Sequence, residues 1–412
     1  MRVRGSALLV LAALLSALTT PAFAAPQERW FSAWSRPQSV VVGAAADSAD
    51  GGRGPGPLVR QSVRDIVRVT GAGSAVRVRL SNRYGASLSP GLTLPLTIPS
   101  ASIARRRAGA DVVAGTLRTL TFAGRPDVTI PAGGTVVSDP VALPVSFGDD
   151  LAISLYVGLV AVAPSHGASF VTSYVSPLLS GDHTRDVAGG SFSERTFSTL
   201  VLTGIDVRSS ALRGVIATTG GSVTDGFGTE IDSHTDFPSW LSRRVHTQRT
   251  VVNNGLGGTT ASTACAVPGT GPSVQERVGH DSLSLPGVTH LIVYAGTNDL
   301  GSTCGATEII AAFRSIVRQA HARGVRVLIS TITPRQAYSA ATNAEREKVN
   351  AWVRARGRCG GQCDTALDFD AVIRDPADHN RIDPRLDSGD GIHPTGEGYR
   401  RIAASIPLAA LV

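Results

Sequence analysis

Lysine is nearly absent from this chain. Of its 39 basic residues only Lys348 is a lysine, so the formal charge of +7 is carried by arginine. Those arginines are scattered, and aromatic residues make up only 5% of the chain. No basic run interleaved with aromatics occurs, which argues against a nucleic-acid partner and for a solvated, mildly basic surface. Beyond residue 24 no apolar stretch reaches the ~20 residues needed to cross a bilayer. Cysteine is scarce as well: Cys265, Cys304, Cys359 and Cys363 all lie in the second half. No histidine stands near them at zinc-ligand spacing, so a zinc site is disfavoured.

What is present is globular. The chain has 412 residues, 42% hydrophobic and 17% charged, enough for a sizeable core and too long for one ordinary domain. Its 45 glycines and 23 prolines predict many turns and a substantial β component. Residues 1–24 read as a secretory signal peptide. Arg2 and Arg4 form the charged region, Ala7 to Leu18 the apolar one, and Ala22-Phe23-Ala24 the cleavage site, with cleavage after Ala24. The mature chain would then be extracellular, with a formal charge of about +5. An even cysteine count in an exported chain suggests disulfides. Three connectivities are possible, and Cys265–Cys304 with Cys359–Cys363 is expected. The first pair sits on neighbouring loops, and the second closes a short glycine-containing loop.

The chain divides by its hydrophobic period. Residues 25–207 read as an all-β, sandwich-like domain. Val76-Arg77-Val78-Arg79-Leu80 and Leu151 to Val157 alternate as half-buried strands do. Leu117 to Phe122, Asp127 to Ile130 and Val136-Val137 are further strand candidates. Asp47 to Pro57 reads as a mobile loop. His166 and His183 read as surface or loop histidines. Trp30, Trp34 and Tyr84 could present a carbohydrate-binding face, but core packing is the more ordinary use of such rings. Residues 208–412 alternate apolar runs with helical stripes, as a three-layer α/β domain does. Val215-Ile216-Ala217, Val251-Val252, Leu291 to Val293 and Val325 to Ile329 read as buried parallel strands. Ala306 to Arg323, Ala341 to Arg356 and Gly396 to Leu411 read as helices.

In such sheets the ligand site lies at the carboxyl ends of the strands. Four loops fall there. Gly220-Gly221-Ser222 leaves a serine on a tight turn before a helix. The second loop contains Gly257-Gly258, the third Gly296-Thr297-Asn298-Asp299, and the fourth Asp390-Gly391-Ile392-His393-Pro394. A serine hydroxyl needs a base, for which His393 is the candidate. The imidazole needs a carboxylate, and Asp390 is three residues away. The developing oxyanion needs donors, which the Ser222 and Gly258 N–H groups and the Asn298 amide can supply. Each loop also has a plain reading, as a polar turn or, for Asp390, a helix cap. The ordered set fills every catalytic role once.

These blocks resemble those of the SGNH, or GDSL, hydrolases over about residues 214–411. The resemblance implies a flavodoxin-like α/β fold and metal-free ester hydrolysis with no cofactor. It also implies Ser222 as nucleophile, His393 as base, Asp390 as its partner, and Ser222, Gly258 and Asn298 as oxyanion donors. The substrate would be a small-molecule, lipid or polysaccharide ester; the residues leave oligomeric state open. The β domain is similar to one found before this module in secreted actinobacterial members. One position departs from the family: Gly221 stands where it has aspartate. That predicts a less firmly held serine turn, with Asp225 as partial compensation or as a cap of the next helix. The same residues would serve an acyltransferase, and a weakened site would serve a binding protein.

Overall fold

A computed structural model describes residues 27–39, 57–87, 93–159, 163–302 and 304–411. The expected signal peptide and most of the Asp47–Pro57 loop lie outside them. Among the described residues no helix is long and apolar enough to cross a membrane.

Among the described residues the N-terminal part is all-β apart from a 3-10 turn at Gly189–Ser191. One antiparallel sheet orders the strands Arg29–Ser35, Leu202–Ser209, Ala75–Ser81 and Thr135–Val137. A second is built around Gln61–Arg68, Asp150–Val157 and Ser100–Ala108. The alternating pattern of these strands turns one side of each inward. Phe31, Val76, Val78 and Val207 of the first sheet share a core with Val63, Val67, Ile103 and Ile153 of the second. Leu117 to Phe122 is shorter as a strand than its pattern suggests, since only Arg118–Thr119 forms a strand, paired with Ser100–Ala108.

The C-terminal part is α/β with a parallel sheet. We label its strands β1 (Gly214–Gly220), β2 (Arg249–Gly255), β3 (Val288–Tyr294), β4 (Arg326–Ser330) and β5 (Thr365–Leu367), with spatial order β2-β1-β3-β4-β5. The helices that follow them include α1 (Ser222–Asp225), α2 (Phe237–Val245), α3 (Val274–Asp281), α4 (Ala306–His321), α5 (Ala340–Arg354) and α6 (Gly396–Ser405). The last ends earlier than its apolar pattern, because Ile406 turns extended before Pro407 and a 3-10 turn follows at Leu408–Leu411. The two parts share apolar packing: Val215, Ala217 and Leu291 belong to the same cluster as Phe31 and Val207.

Both expected disulfides are present, Cys265–Cys304 with Cα atoms 5.8 Å apart and Cys359–Cys363 with 5.4 Å. Trp30, Trp34 and Tyr84 are all half-buried, and the Arg77 guanidinium covers Trp30 at 4.6 Å.

Candidate active site

β1 lies between β2 and β3, and its end delivers Ser222 to the carboxyl edge of the sheet. Arg277, fully buried on α3, ties that edge together. It donates to the carbonyls of Gly220 and Asn254, at 2.8 Å each. Gly221 is the extended N-cap of α1. The Thr224 hydroxyl donates to the Tyr294 carbonyl at 2.8 Å and fixes the short helix to the end of β3. Ser222 is thus held by three strand ends while its side chain stays half-exposed.

The loop before α6 brings His393. Asp387 accepts from the N–H groups of Gly389 and Gly391 at 2.9 and 3.1 Å. Ser388 N–H donates to the His393 carbonyl at 2.9 Å, closing the loop on itself. The cap of α6 is Thr395, whose hydroxyl accepts from Gly398 N–H. Asp390 is therefore not a helix cap. Its Oδ1 accepts from the N–H groups of Ile392 and His393, at 2.9 and 2.8 Å, and its Oδ2 lies 2.5 Å from His393 Nδ1. Burial pushes the Asp390 carboxyl up, but the donors from His393 and Ile392 outweigh it and hold the group below its usual range. The carboxylate stays ionised beside the imidazole. On the other side of the ring, Nε2 is 2.8 Å from Ser222 Oγ. With Nδ1–H donating to Asp390, Nε2 faces the hydroxyl as an acceptor.

The other two loops converge on the same point. A Cβ on Gly221 would lie 3.1 Å from both Asn298 Nδ2 and the Thr259 carbonyl. Asn298 Nδ2 donates to Thr259 O at 2.9 Å, which orients the amide and leaves its second N–H for another acceptor. Gly258 is exposed with φ of +77°, a left-handed conformation that suits glycine and presents the backbone openly. Beneath these loops the buried Asp299 accepts from the N–H groups of Ala261 and Ser262 at 2.8 and 2.9 Å. Burial raises its carboxyl despite those bonds.

Two expectations need correction. His166 is neither a surface nor a loop-exposed histidine: it is 1% exposed, and its Nε2 lies 3.0 Å from Asp225 Oδ1. Asp225 does not cap the following helix, because Asp236 does, accepting from Ser239 N–H. Asp225 ends α1 with a buried carboxylate that Arg36 and His166 reach from the β region and to which Gly257 N–H donates at 3.1 Å. His183 is half-buried and bonds Asp186 at 2.9 Å. Local pattern could not reveal Arg36, His166 or Phe170 at this site, since they come from far upstream. Phe170 packs on Phe227, which packs on His393. A cavity of about 130 Å³ opens between the β and α/β parts, lined among others by Trp34, Arg36, Phe170, His234, Arg243 and Asn253. Neither Ser222 nor His393 lines it.

Residues 218–401 match the GDSL-like Lipase/Acylhydrolase family. None of the curated proteins compared with the sequence matches it. Among solved structures, a putative lipolytic protein of the G-D-S-L family from Desulfitobacterium hafniense is similar at 18% identity. The match covers 48% of this chain and 98% of that one, with a TM-score of 0.38. A carbohydrate acetylesterase from Sinorhizobium meliloti is similar at 16% identity, over 48% of this chain and 100% of that one, with a TM-score of 0.40. The aryl esterase of M. smegmatis is similar at 16% identity, over 48% and 97%, with a TM-score of 0.38.

Proposed function

Residues 218–401 belong to the GDSL-like lipase/acylhydrolase family, and from that premise we propose that the chain is an exported serine esterase. A β-sandwich-like domain, residues 25–207, precedes the hydrolase domain, residues 208–412, and residues 1–24 are removed on export. Ser222 is the nucleophile, His393 the base and Asp390 its carboxylate partner. The observation that carries this reading is the continuous chain of contacts from Asp390 Oδ2 through His393 to Ser222 Oγ, at 2.5 and 2.8 Å.

The Ser222 hydroxyl gives its proton to His393 Nε2 as Oγ bonds to the ester carbonyl carbon. The carbonyl oxygen takes the electron pair and becomes an oxyanion, met by N–H donors from Ser222, Gly258 and Asn298. When the carbonyl re-forms, the C–O bond to the alcohol breaks and His393 passes its proton to the departing oxygen. Water then attacks the acyl-enzyme, giving its proton to Nε2, and the acid leaves as that proton returns to Ser222 Oγ. Asp390 stabilises the imidazolium in both halves. The acyl and alcohol portions accepted are those of a small-molecule, lipid or O-acylated carbohydrate ester.

The test is hydrolysis of a p-nitrophenyl acetate-to-decanoate series by residues 25–412, beside Ser222→Ala. Turnover should fall by about 10⁴ or more in the variant. Undiminished turnover in Ser222→Ala ends the reading, and product formed only with an added alcohol acceptor makes the protein an acyltransferase.

A further inference from the structure

Asp225 is the meeting point of three segments. Its backbone N–H donates to Gly221 O at 3.0 Å within the serine turn. Its carbonyl accepts from Asn253 Nδ2 at the end of β2, at 3.1 Å, and from Arg36 Nη1, also at 3.1 Å. Its Oδ1 accepts from Arg36 Nη1 and faces His166 Nε2 at 3.0 Å. Its Oδ2 accepts from Gly257 N–H at 3.1 Å. Both β-region partners are themselves fixed. Arg36 Nη2 reaches Ser169 O at 3.4 Å, and His166 Nδ1 lies 2.9 Å from Pro37 O. Both ring nitrogens of His166 face oxygens, so the ring is held at both ends.

The network is almost fully buried. Asp225 and His166 are each 1% exposed, and the Arg36 side chain 9%. A carboxylate buried this deeply needs the two cationic or donor partners it has, because solvent cannot replace them. The packing leaves no slack either. A Cβ on Gly255 would lie 2.2 Å from Asp225 N, so α1 sits directly on the backbone of β2.

We propose that the β region supplies a positioning element of the active site. Arg36 and His166 fix the Asp225 carboxylate, and Asp225 in turn fixes Gly257 N–H and so the loop that presents Gly258 beside Ser222. Gly257 adjoins Gly258, while Asp225 lies one helical turn beyond Ser222. One carboxylate thus sets the nucleophile turn and the oxyanion loop against each other. The role of Asp225 is to hold the loop, not to touch substrate. This inference rests on the esterase reading for its catalytic consequence, but its structural content does not depend on that reading.

The experiment compares residues 25–412 with Arg36→Gln, His166→Gln, Asp225→Asn and the double variant Arg36→Gln/Asp225→Asn. Two quantities are read: hydrogen exchange of the amides from 255 to 259, and kcat and KM per fluorophosphonate-titrated site. Each single variant should speed exchange at 255–259 while β3 stays protected. Each should lower kcat about 10–100-fold with KM nearly unchanged, the range typical of groups that orient catalytic ligands from behind. The double variant should lose no more than the worse single one, since all act through one link. Because Arg36→Gln alone leaves the buried Asp225 carboxylate without its guanidinium partner and can fail to fold, the double variant, which removes both charges, decides the matter in that case. Unchanged exchange at 255–259, or exchange raised equally throughout the sheet, overturns the proposal. A wild-type protein without ester turnover would sink the esterase reading alone, and the exchange comparison would still decide the clamp.

Discussion

Phe170 of the β region meets Phe227 edge-on, with ring centroids 5.0 Å apart and planes at 77°. Phe227 in turn lies 5.4 Å from the His393 ring. Phe170 holds a left-handed backbone, with φ of 54°, and its carbonyl accepts from Asp232 N–H at 2.9 Å. A non-glycine residue in that conformation persists only where its surroundings over-determine it. The β region therefore contributes a wall behind His393 as well as the contacts to Asp225.

Phe170 also lines the cavity between the two parts of the chain. Phe170→Ala removes an aromatic pair worth about 0.5–1.5 kcal/mol and opens space between that cavity and the His393 side. The expected result is a shift of kcat/KM towards longer acyl chains across the p-nitrophenyl series, with fluorophosphonate labelling of Ser222 retained. A profile that overlays the wild type at every chain length would remove Phe170 from the substrate wall.

Much of the α/β part was legible because its signals are local. β1, β3 and β4 are continuous apolar runs closed by glycine or polar turns, and α4 carries an unbroken apolar stripe. The loops with Ser222, Asn298 and His393 could be picked out because each follows such a strand or precedes such a helix. What the sequence could not reveal depends on contacts between distant residues. Asp225 lies three positions from Ser222 and looked like a helix cap, yet its partners are 59 and 189 positions upstream. His166 has no apolar periodicity around it and so read as surface. The order β2-β1-β3-β4-β5 likewise follows from crossover connections rather than from any single segment.

Asp65 gives a stability prediction with a definite sign. It is fully buried on the strand Gln61–Arg68. Its Oδ1 accepts one long bond, 3.4 Å from Leu200 N, and its Oδ2 has no hydrogen-bond partner among the described residues. Burial raises its carboxyl well above the usual range. As pH rises past about 4, the unfolded chain releases this proton while the folded chain keeps it. The unfolded state then binds fewer protons, so stability falls as pH rises through that window. Asp65→Asn removes the ionisation and keeps the acceptor for Leu200. Its stability relative to wild type should therefore grow between pH 4 and pH 8, measured by urea midpoints, reaching about 1–3 kcal/mol. Parallel curves over that range would show that Asp65 ionises as freely folded as unfolded.

The two disulfides should separate stability from catalysis. Cys265–Cys304 spans 39 positions and ties the loop after Gly258 to the segment after Asn298. Cys359–Cys363 spans 4 positions and precedes β5, at the amino ends of the strands and away from the site. Chain entropy alone gives about 4 kcal/mol for the first and about 2 for the second. Replacing both cysteines of the first pair by serine should lower the melting temperature and also kcat, since Gly258 and Asn298 lose a common tether. The Asn298 amide on Thr259 O and the buried Asp299, bonded to Ala261 and Ser262, then remain to link the two loops. The same replacement in the second pair should lower the melting temperature and leave kcat per active site unchanged. Equal kcat losses from both pairs would mean that the effect is global.

Gly221 poses the question of whether the family aspartate can simply be restored. Its backbone, φ of −90° and ψ of −150°, is extended and open to any L-residue, so conformation is no obstacle. Space is. A Cβ there would stand 3.1 Å from Asn298 Nδ2 and from Thr259 O, closer than such contacts normally fall. Either the second or the third loop must shift by a few tenths of an ångström. Aspartate would add a carboxylate beside the Thr259 carbonyl, which repels it, and beside the Asn298 amide, which it attracts. The amide would then serve the side chain instead of a developing oxyanion. Gly221→Asp should therefore lower kcat by roughly ten-fold, on the scale expected when a catalytic group is displaced by a fraction of an ångström. Gly221→Ala, with the crowding but without the charge, should lose less and gain some stability from the less flexible unfolded chain. Assays of kcat for the two variants beside wild type check this ordering. A Gly221→Asp enzyme faster than wild type would mean that the glycine leaves Ser222 loosely held, and that Asp225 does not take over the missing aspartate's role.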